Sequence, residues 1–234
     1  MKPYSRGLTE DNRMSESCSC LKLVAFDMDG VLTTHPSSWK FIHEYFNVDN
    51  SENLAAYRSG NISYGDFMSR DISLWLKKNP DLTKDEIISI LSRIETRENM
   101  KNAVEKLRDA GMKVAIVSGG VSWLADIINA DMLFDYVYAN EIDVDKNGRL
   151  TGKGIPNVIP SRKDVVIRNL QSVIGCRADD TGSIGDSYFD KSMFSASRIA
   201  IAFNPRDDEV RNASTSVLFS NDLMELSERI LDSC

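Results

Sequence analysis

Asp27, Asp29, Ser118, Lys163, Asp186 and Asp190 are the side chains of this 234-residue chain whose types and spacing could do chemistry. Several carboxylates brought together repel one another, and a hard divalent cation with oxygen ligands is the usual remedy. Mg²⁺ binds through one or two carboxylates plus a substrate phosphate, which suits Asp27 and Asp186. Asp27 could attack phosphorus to form an aspartyl-phosphate, a form of covalent catalysis. In an extended segment Asp29 falls on the same side as Asp27. There it could protonate a leaving oxygen and later take a proton from water, a role worth about 10²–10⁴ in rate. Ser118, with the amides around Gly119 expected at a helix start, suits phosphoryl oxygens, and Lys163 adds a point charge.

Taken singly, each piece has a blander reading. An isolated Asp-x-Asp is more often a turn or a solvated pair. Ser118-Gly119-Gly120 resembles an ordinary strand-to-helix turn, Gly185-Asp186-Ser187 a helix cap, and Lys163 a surface lysine. Their order and common position outweigh this. Three of the groups follow predicted strands, and ligands in open parallel sheets bind beyond the carboxyl ends of the strands.

The elements that must position them read as follows. Short apolar runs ending at Asp27, Ser118 and Gly185, with others at 135–139 and 198–203, have the pattern of buried strands. Helical stretches at 100–110, 122–129, 161–173 and 221–231 alternate with them. Such alternation predicts an α/β fold, a Rossmann-like parallel sheet core with helices on both faces. A hairpin-like insert at 141–151 turns at Asn147-Gly148. Between Thr34 and Asn99 the strand runs stop. Ile87, Ile90, Leu91 and Ile94, and then Met68, Ile72 and Trp75, recur at helical spacing. The domains expected are a polar tail at 1–20, a core from 21–34 and 100–234, and a small helical cap at 35–99, inserted after the first strand.

Composition narrows the classes of function. The chain is 42% hydrophobic and 27% charged, an ordinary globular balance. Its net charge is −7, from 28 basic and 35 acidic residues. A nucleic-acid binder normally carries a basic face, so no nucleic-acid partner is expected, although a metal can reverse the sign of a local pocket. No apolar run approaches the ~20 residues that span a bilayer. The four cysteines form no C-x-x-C pair, and His35 and His43 are the only histidines. Free thiols in a reducing cytoplasm are therefore the expectation, not a zinc site. The first 17 residues lack the apolar stretch of a signal peptide. No residue pattern specifies an oligomeric state.

These motifs make the chain similar to the haloacid dehalogenase-like phosphatases, and within them to the phosphoserine phosphatase branch, over about 23–231. Phe26-Asp27-Met28-Asp29-Gly30-Val31-Leu32-Thr33 resembles the first motif and Val117-Ser118-Gly119-Gly120 the second. Lys163 matches the third, and Gly185-Asp186 with Asp190 the fourth. The resemblance implies Asp27 as nucleophile and Asp29 as acid/base. It implies Mg²⁺ on Asp27, the Asp29 carbonyl and Asp186, with Asp190 supporting Lys163 and the metal site. It also places Arg58, Tyr64, Arg70, Asp71 and Trp75 on the cap's substrate segment. Three positions depart from the branch: Phe189 stands for an Asn, and Pro36 and Asp71 stand where a Glu and an Arg recognise serine. The implied activity is a phosphomonoesterase acting on a small-molecule phosphate ester. Phosphoserine, a sugar phosphate, a nucleotide or another phosphorylated small acid remain open as substrates, and so does a non-catalytic phosphate-binding regulator. A signalling receiver domain, which also uses Asp, Ser/Thr and Lys around Mg²⁺, needs no helical insert and ranks last.

Overall fold

The computed structural model describes residues 21–233, so the tail expected at 1–20 lies outside the described residues. Strand β1 (Leu23–Phe26) leads through a wound turn into four helices: α1 (Ser38–Phe46), α2 (Ser51–Arg58), α3 (Tyr64–Lys78) and α4 (Lys84–Leu91). Then follow α5 (Met100–Asp109), β2 (Lys113–Val121), α6 (Ser122–Ile128), β3 (Tyr136–Val144) and β4 (Leu150–Ile155). The chain closes with α7 (Lys163–Ile174), β5 (Thr181–Gly185), α8 (Lys191–Phe194), β6 (Ile199–Phe203), α9 (Asp208–Ala213), β7 (Ser216–Leu218) and α10 (Leu223–Asp232). No described helix is long and apolar enough to cross a membrane.

The seven strands form one sheet in the order β4-β3-β2-β1-β5-β6-β7, parallel except for β4. Alternation along the strands builds two cores. Val24, Phe26, Val114 and Ile116 pack on one face with Val104, Leu107, Leu124 and Leu226 of α5, α6 and α10. Leu23, Ala25, Ala115 and Val117 pack on the other with Ile167, Leu170, Met193 and Val210 of α7, α8 and α9. The sheet is therefore covered on both faces, as parallel sheets require. β1 sits at its centre, which puts Asp27 at the middle of the strand ends.

The inserted helices share the first core through Ile42, Ile72, Trp75, Ile87 and Leu91. They are also tied to the β3–β4 hairpin. The Lys84 amide donates to the Gly148 carbonyl (2.8 Å), the Leu150 amide to the Leu82 carbonyl (2.9 Å), and the Gly154 amide to Ser69 Oγ (3.1 Å). The Asn147-Gly148 turn read from the sequence is thus a docking point for the helices as well as a reversal of the chain.

Several boundaries differ from the sequence reading. Helix α7 starts at Lys163, because Pro160–Arg162 forms a preceding 3₁₀ turn. Asp222 caps α10, which moves its start to Leu223. The short elements β7, α8 and α9 carry too few residues for periodicity to reveal them.

Candidate active site

The turn after β1 is shaped by close approach. Gly30 has φ +81°, and a Cβ on it would run into the Asp186 carboxylate; only glycine suits both constraints. Arg97 fastens the same turn from outside, donating to the carbonyls of Gly30 (2.8 Å) and Val31 (3.1 Å). Asp27 and Asp29 are consequently held at 6% and 8% exposure.

Lys163, at the first position of α7, is buried, and its Nζ lies 2.8 Å from Asp27 Oδ1 and 2.6 Å from Asp190 Oδ1. Burial alone would lower the ammonium's pKa, but Asp190 and Asp27 hold it above the ordinary lysine range. Asp27 Oδ1 also accepts from the Met28 amide (2.8 Å), while Oδ2 takes no hydrogen bond among the described residues. One oxygen is clamped and the other is available as a nucleophile. Asp190 uses its second oxygen on the amides of Asp186 (3.0 Å) and Ser187 (3.1 Å). It thereby fixes the loop after β5 and Lys163 together.

Asp29 differs from Asp27. Its Oδ2 accepts from Ser38 Oγ (2.8 Å), and its Oδ1 is buried with no hydrogen-bond partner. Burial, aided by the negative Asp27, pushes its pKa up to about 7, against the lowering effect of Ser38. A carboxyl that is protonated near neutrality can act as a general acid. Gly120 makes room for it, since a Cβ there would sit 2.5 Å from Asp29 Oδ2 and 2.7 Å from Ser38 Oγ.

Ser118 Oγ accepts from the Gly120 amide (3.1 Å), which leaves its O–H to donate. The amides around Gly119, however, do not lie at a helix start. β2 runs on to Val121 with a register irregularity, and α6 begins at Ser122. The Gly119 carbonyl instead receives Trp39 Nε1 (3.1 Å), the Tyr64 hydroxyl (3.2 Å) and Asn140 Nδ2 (2.9 Å). Gly119 is thus a second point, beside the β3–β4 hairpin, at which the inserted helices fasten to the sheet.

Oxygens of Asp27, Asp186 and Asp190 lie within 4.8 Å of one another. Burial, with Asp190 and Asp27 nearby, raises Asp186 to about 8, and Arg206 counters this from 2.7 Å (Nε to Oδ2). Four buried carboxylates here face two cations, Lys163 and Arg206. An all-oxygen donor set short of positive charge fits a hard divalent cation.

Asp27, Asp29, Ser118, Gly119 and Lys163 line one cavity of about 290 Å³, together with Tyr64 and Asp71 from α3. The other residues expected to select substrate are elsewhere. Arg58 and Arg70 are exposed and outside the lining, and Trp75 is fully buried, stacked on Trp39 with ring centroids 5.4 Å apart. Residues not anticipated take part: Ser38, Arg97, Asn140 and Arg206. Arg206 had a readable signal, since it follows β6 at the same edge. Asn140, fully buried midway along β3 where its pairing with β2 ends, joins Gly119, Val158 and Tyr64, but an isolated Asn carries no sequence signature.

A mostly parallel sheet with carboxylates, a lysine and a serine at its carboxyl edge and helices inserted after its first strand is a Rossmann-like α/β architecture with a ligand-binding edge. The family model described as haloacid dehalogenase-like hydrolase matches residues 24–195, and the chain belongs to that family. It is 31% identical over 189 residues to a phosphoserine phosphatase of Archaeoglobus fulgidus, covering 80% of this chain and 53% of that protein, so it spans about half its length. Identity to a phosphoserine phosphatase of Idiomarina loihiensis is 29% over 212 residues, covering 87% of this chain and 91% of that one. A solved phospho-aspartyl intermediate analogue of phosphoserine phosphatase shares the fold, with TM-score 0.74 and 24% identity over 90% of this chain and 99% of the other.

Proposed function

We propose that this chain is a cytoplasmic phosphomonoesterase that hydrolyses a small phosphorylated metabolite through an aspartyl-phosphate on Asp27. The observation that carries this is the contrast between the two acids. Asp27 has one clamped and one open oxygen, whereas Asp29 is raised to about 7 with an unpartnered oxygen.

Asp27, the Asp29 carbonyl and Asp186 would hold Mg²⁺, with Asp190 behind them. Bound there, the cation supplies charge neutralisation between carboxylates and phosphate. Asp27 Oδ2 attacks phosphorus as the phosphorus–oxygen bond to the leaving alcohol breaks, and Asp29 gives that oxygen its proton. The Ser118 hydroxyl and the Lys163 ammonium hold the phosphoryl oxygens. Asp29, now ionised, takes a proton from water; the resulting hydroxide attacks phosphorus, releases inorganic phosphate and restores Asp27. The family of the relatives and their names as phosphoserine phosphatases support this reaction class. The inserted helices act as the cap that closes the cavity over the substrate.

The test is Asp27→Asn, which removes the nucleophile. Phosphate release should fall by about 10⁴-fold or more with the circular dichroism unchanged. A clean preparation of this variant that still turned over substantially would remove the covalent route.

A further inference from the structure

The far end of the cavity holds one carboxylate and no cation to match it. Asp71 is 1% exposed and lines the cavity. Its Oδ2 accepts from His43 Nε2 (3.0 Å) and Asn50 Nδ2 (2.9 Å), and its Oδ1 from Asn53 Nδ2 (2.9 Å). Trp75 Nε1, which can only donate, lies 2.7 Å from His43 Nδ1. That nitrogen therefore accepts, the ring proton sits on Nε2, and the imidazole is neutral. All three donors to Asp71 are thus uncharged, and no lysine or arginine pairs with it among the described residues. A buried carboxylate without a countercharge is unfavourable unless a ligand brings the cation.

The surroundings suit a cation. Tyr57, Tyr64 and Phe67 line the same cavity, with Tyr57 5.4 Å from Tyr64 and 5.3 Å from Phe67 between ring centroids. Aromatic faces attract ammonium groups by their quadrupoles. A ligand carboxylate finds no such reception. Arg58 and Arg70 are outside the lining, and Pro36 and Phe189 offer no charge. Lys40, at the exposed rim, is 3.4 Å from Glu44, and Arg206 is held by Asp186.

We infer that the substrate is the phosphate monoester of an amino alcohol without a carboxylate, its ammonium seated between Asp71 and the aromatic wall. This rests on the phosphomonoesterase reading above. The experiment measures kcat/KM of the full chain with Mg²⁺ on O-phosphoethanolamine, phosphocholine, phosphoserine and n-propyl phosphate, with p-nitrophenyl phosphate, an activated aryl ester without an ammonium, as the control for phosphatase activity. At least one of the two carboxylate-free amine esters should exceed n-propyl phosphate, which matches O-phosphoethanolamine in length and carries no charge on its alcohol, by tenfold or more. It should also exceed phosphoserine. Asp71→Asn should bring the ratio of amine ester to n-propyl phosphate toward one; the panel on the parent protein decides alone if that variant does not fold. The inference is overturned if n-propyl phosphate equals the amine esters or if phosphoserine leads the panel. Absence of hydrolysis across the panel, the aryl phosphate included, would instead remove the phosphomonoesterase reading.

Discussion

At the sheet edge the polar side chains are charged and bound to one another, Lys163 between Asp27 and Asp190 and Arg206 on Asp186. Among the inserted helices, by contrast, the neutral side chains of His43, Asn50 and Asn53 converge on the single carboxylate of Asp71. The difference follows from what each region meets. Phosphate is the same in every ester, so its end of the cavity can be fixed by strand ends and cross-linked ions, whose preorganisation costs nothing at the moment of reaction. The leaving alcohol varies, and the inserted helices can change their lining without moving a strand.

In the mechanism proposed above this division is sharpest at Asp29, which would serve the leaving oxygen from the sheet side. Asp29→Asn removes the proton donor and should lower turnover of an alkyl phosphate by about 10²–10⁴-fold. A p-nitrophenolate leaves without needing a proton, so the loss on that ester should be much smaller in the same variant. Steady-state kinetics on the two esters measure the gap. Equal losses would mean that Asp29 only supports the turn and that the assignment of the acid is wrong.

The crowded charges also predict how metal-free protein responds to pH. Asp29 and Asp186 are raised from 3.8 to about 7 and about 8. The folded state therefore holds their protons more tightly than the unfolded state does. This contribution to stability is fully present below about pH 3.8 and is lost as pH rises through 7 and 8. The metal-free melting temperature should fall between pH 5 and 8.5, and Mg²⁺ should recover more of it at the alkaline end. For a chain of this size each kcal/mol corresponds to about 2–4 °C, within reach of calorimetry. A Mg²⁺ effect that did not vary with pH would dissociate the cation from these carboxylates.

How much of this was legible in the sequence differs between the same two regions. Asp27, Ser118 and Asp186 could be found because strand ends in a parallel sheet converge on one edge whatever the details of packing. The lining of the inserted helices depends on helix phase. Tyr64, Met68, Asp71, Ile72 and Trp75 are the buried positions of α3. They recur at spacings of three and four, so Arg70 falls outside the inward face. That much the helical spacing contained. The isolation of Arg58 on α2, the pairing of Asp71 with His43, and the docking of the β3–β4 hairpin depend on how the helices pack together. No local pattern encodes those.

Ser38 is the point where the two regions cease to be separate. It is the first residue of α1, yet its hydroxyl donates to Asp29 Oδ2 (2.8 Å) and accepts from the Val121 amide (3.0 Å). An inserted helix thereby sets the acidity of a sheet residue, since Ser38 lowers the Asp29 pKa against burial. Ser38→Ala keeps the backbone contribution and removes the smaller one from the hydroxyl, so the Asp29 proton should be held somewhat more tightly. Because the first step of the proposed mechanism uses that proton, the alkaline limb of kcat/KM for an alkyl phosphate should move upward by less than about one pH unit, one unit being ~1.4 kcal/mol. The orphaned Val121 amide should cost a further ~1 kcal/mol in stability. A pH–rate profile measured beside a melting curve separates the two effects. A variant that loses stability but keeps the parent's alkaline limb would show that Ser38 braces the junction without tuning the acid.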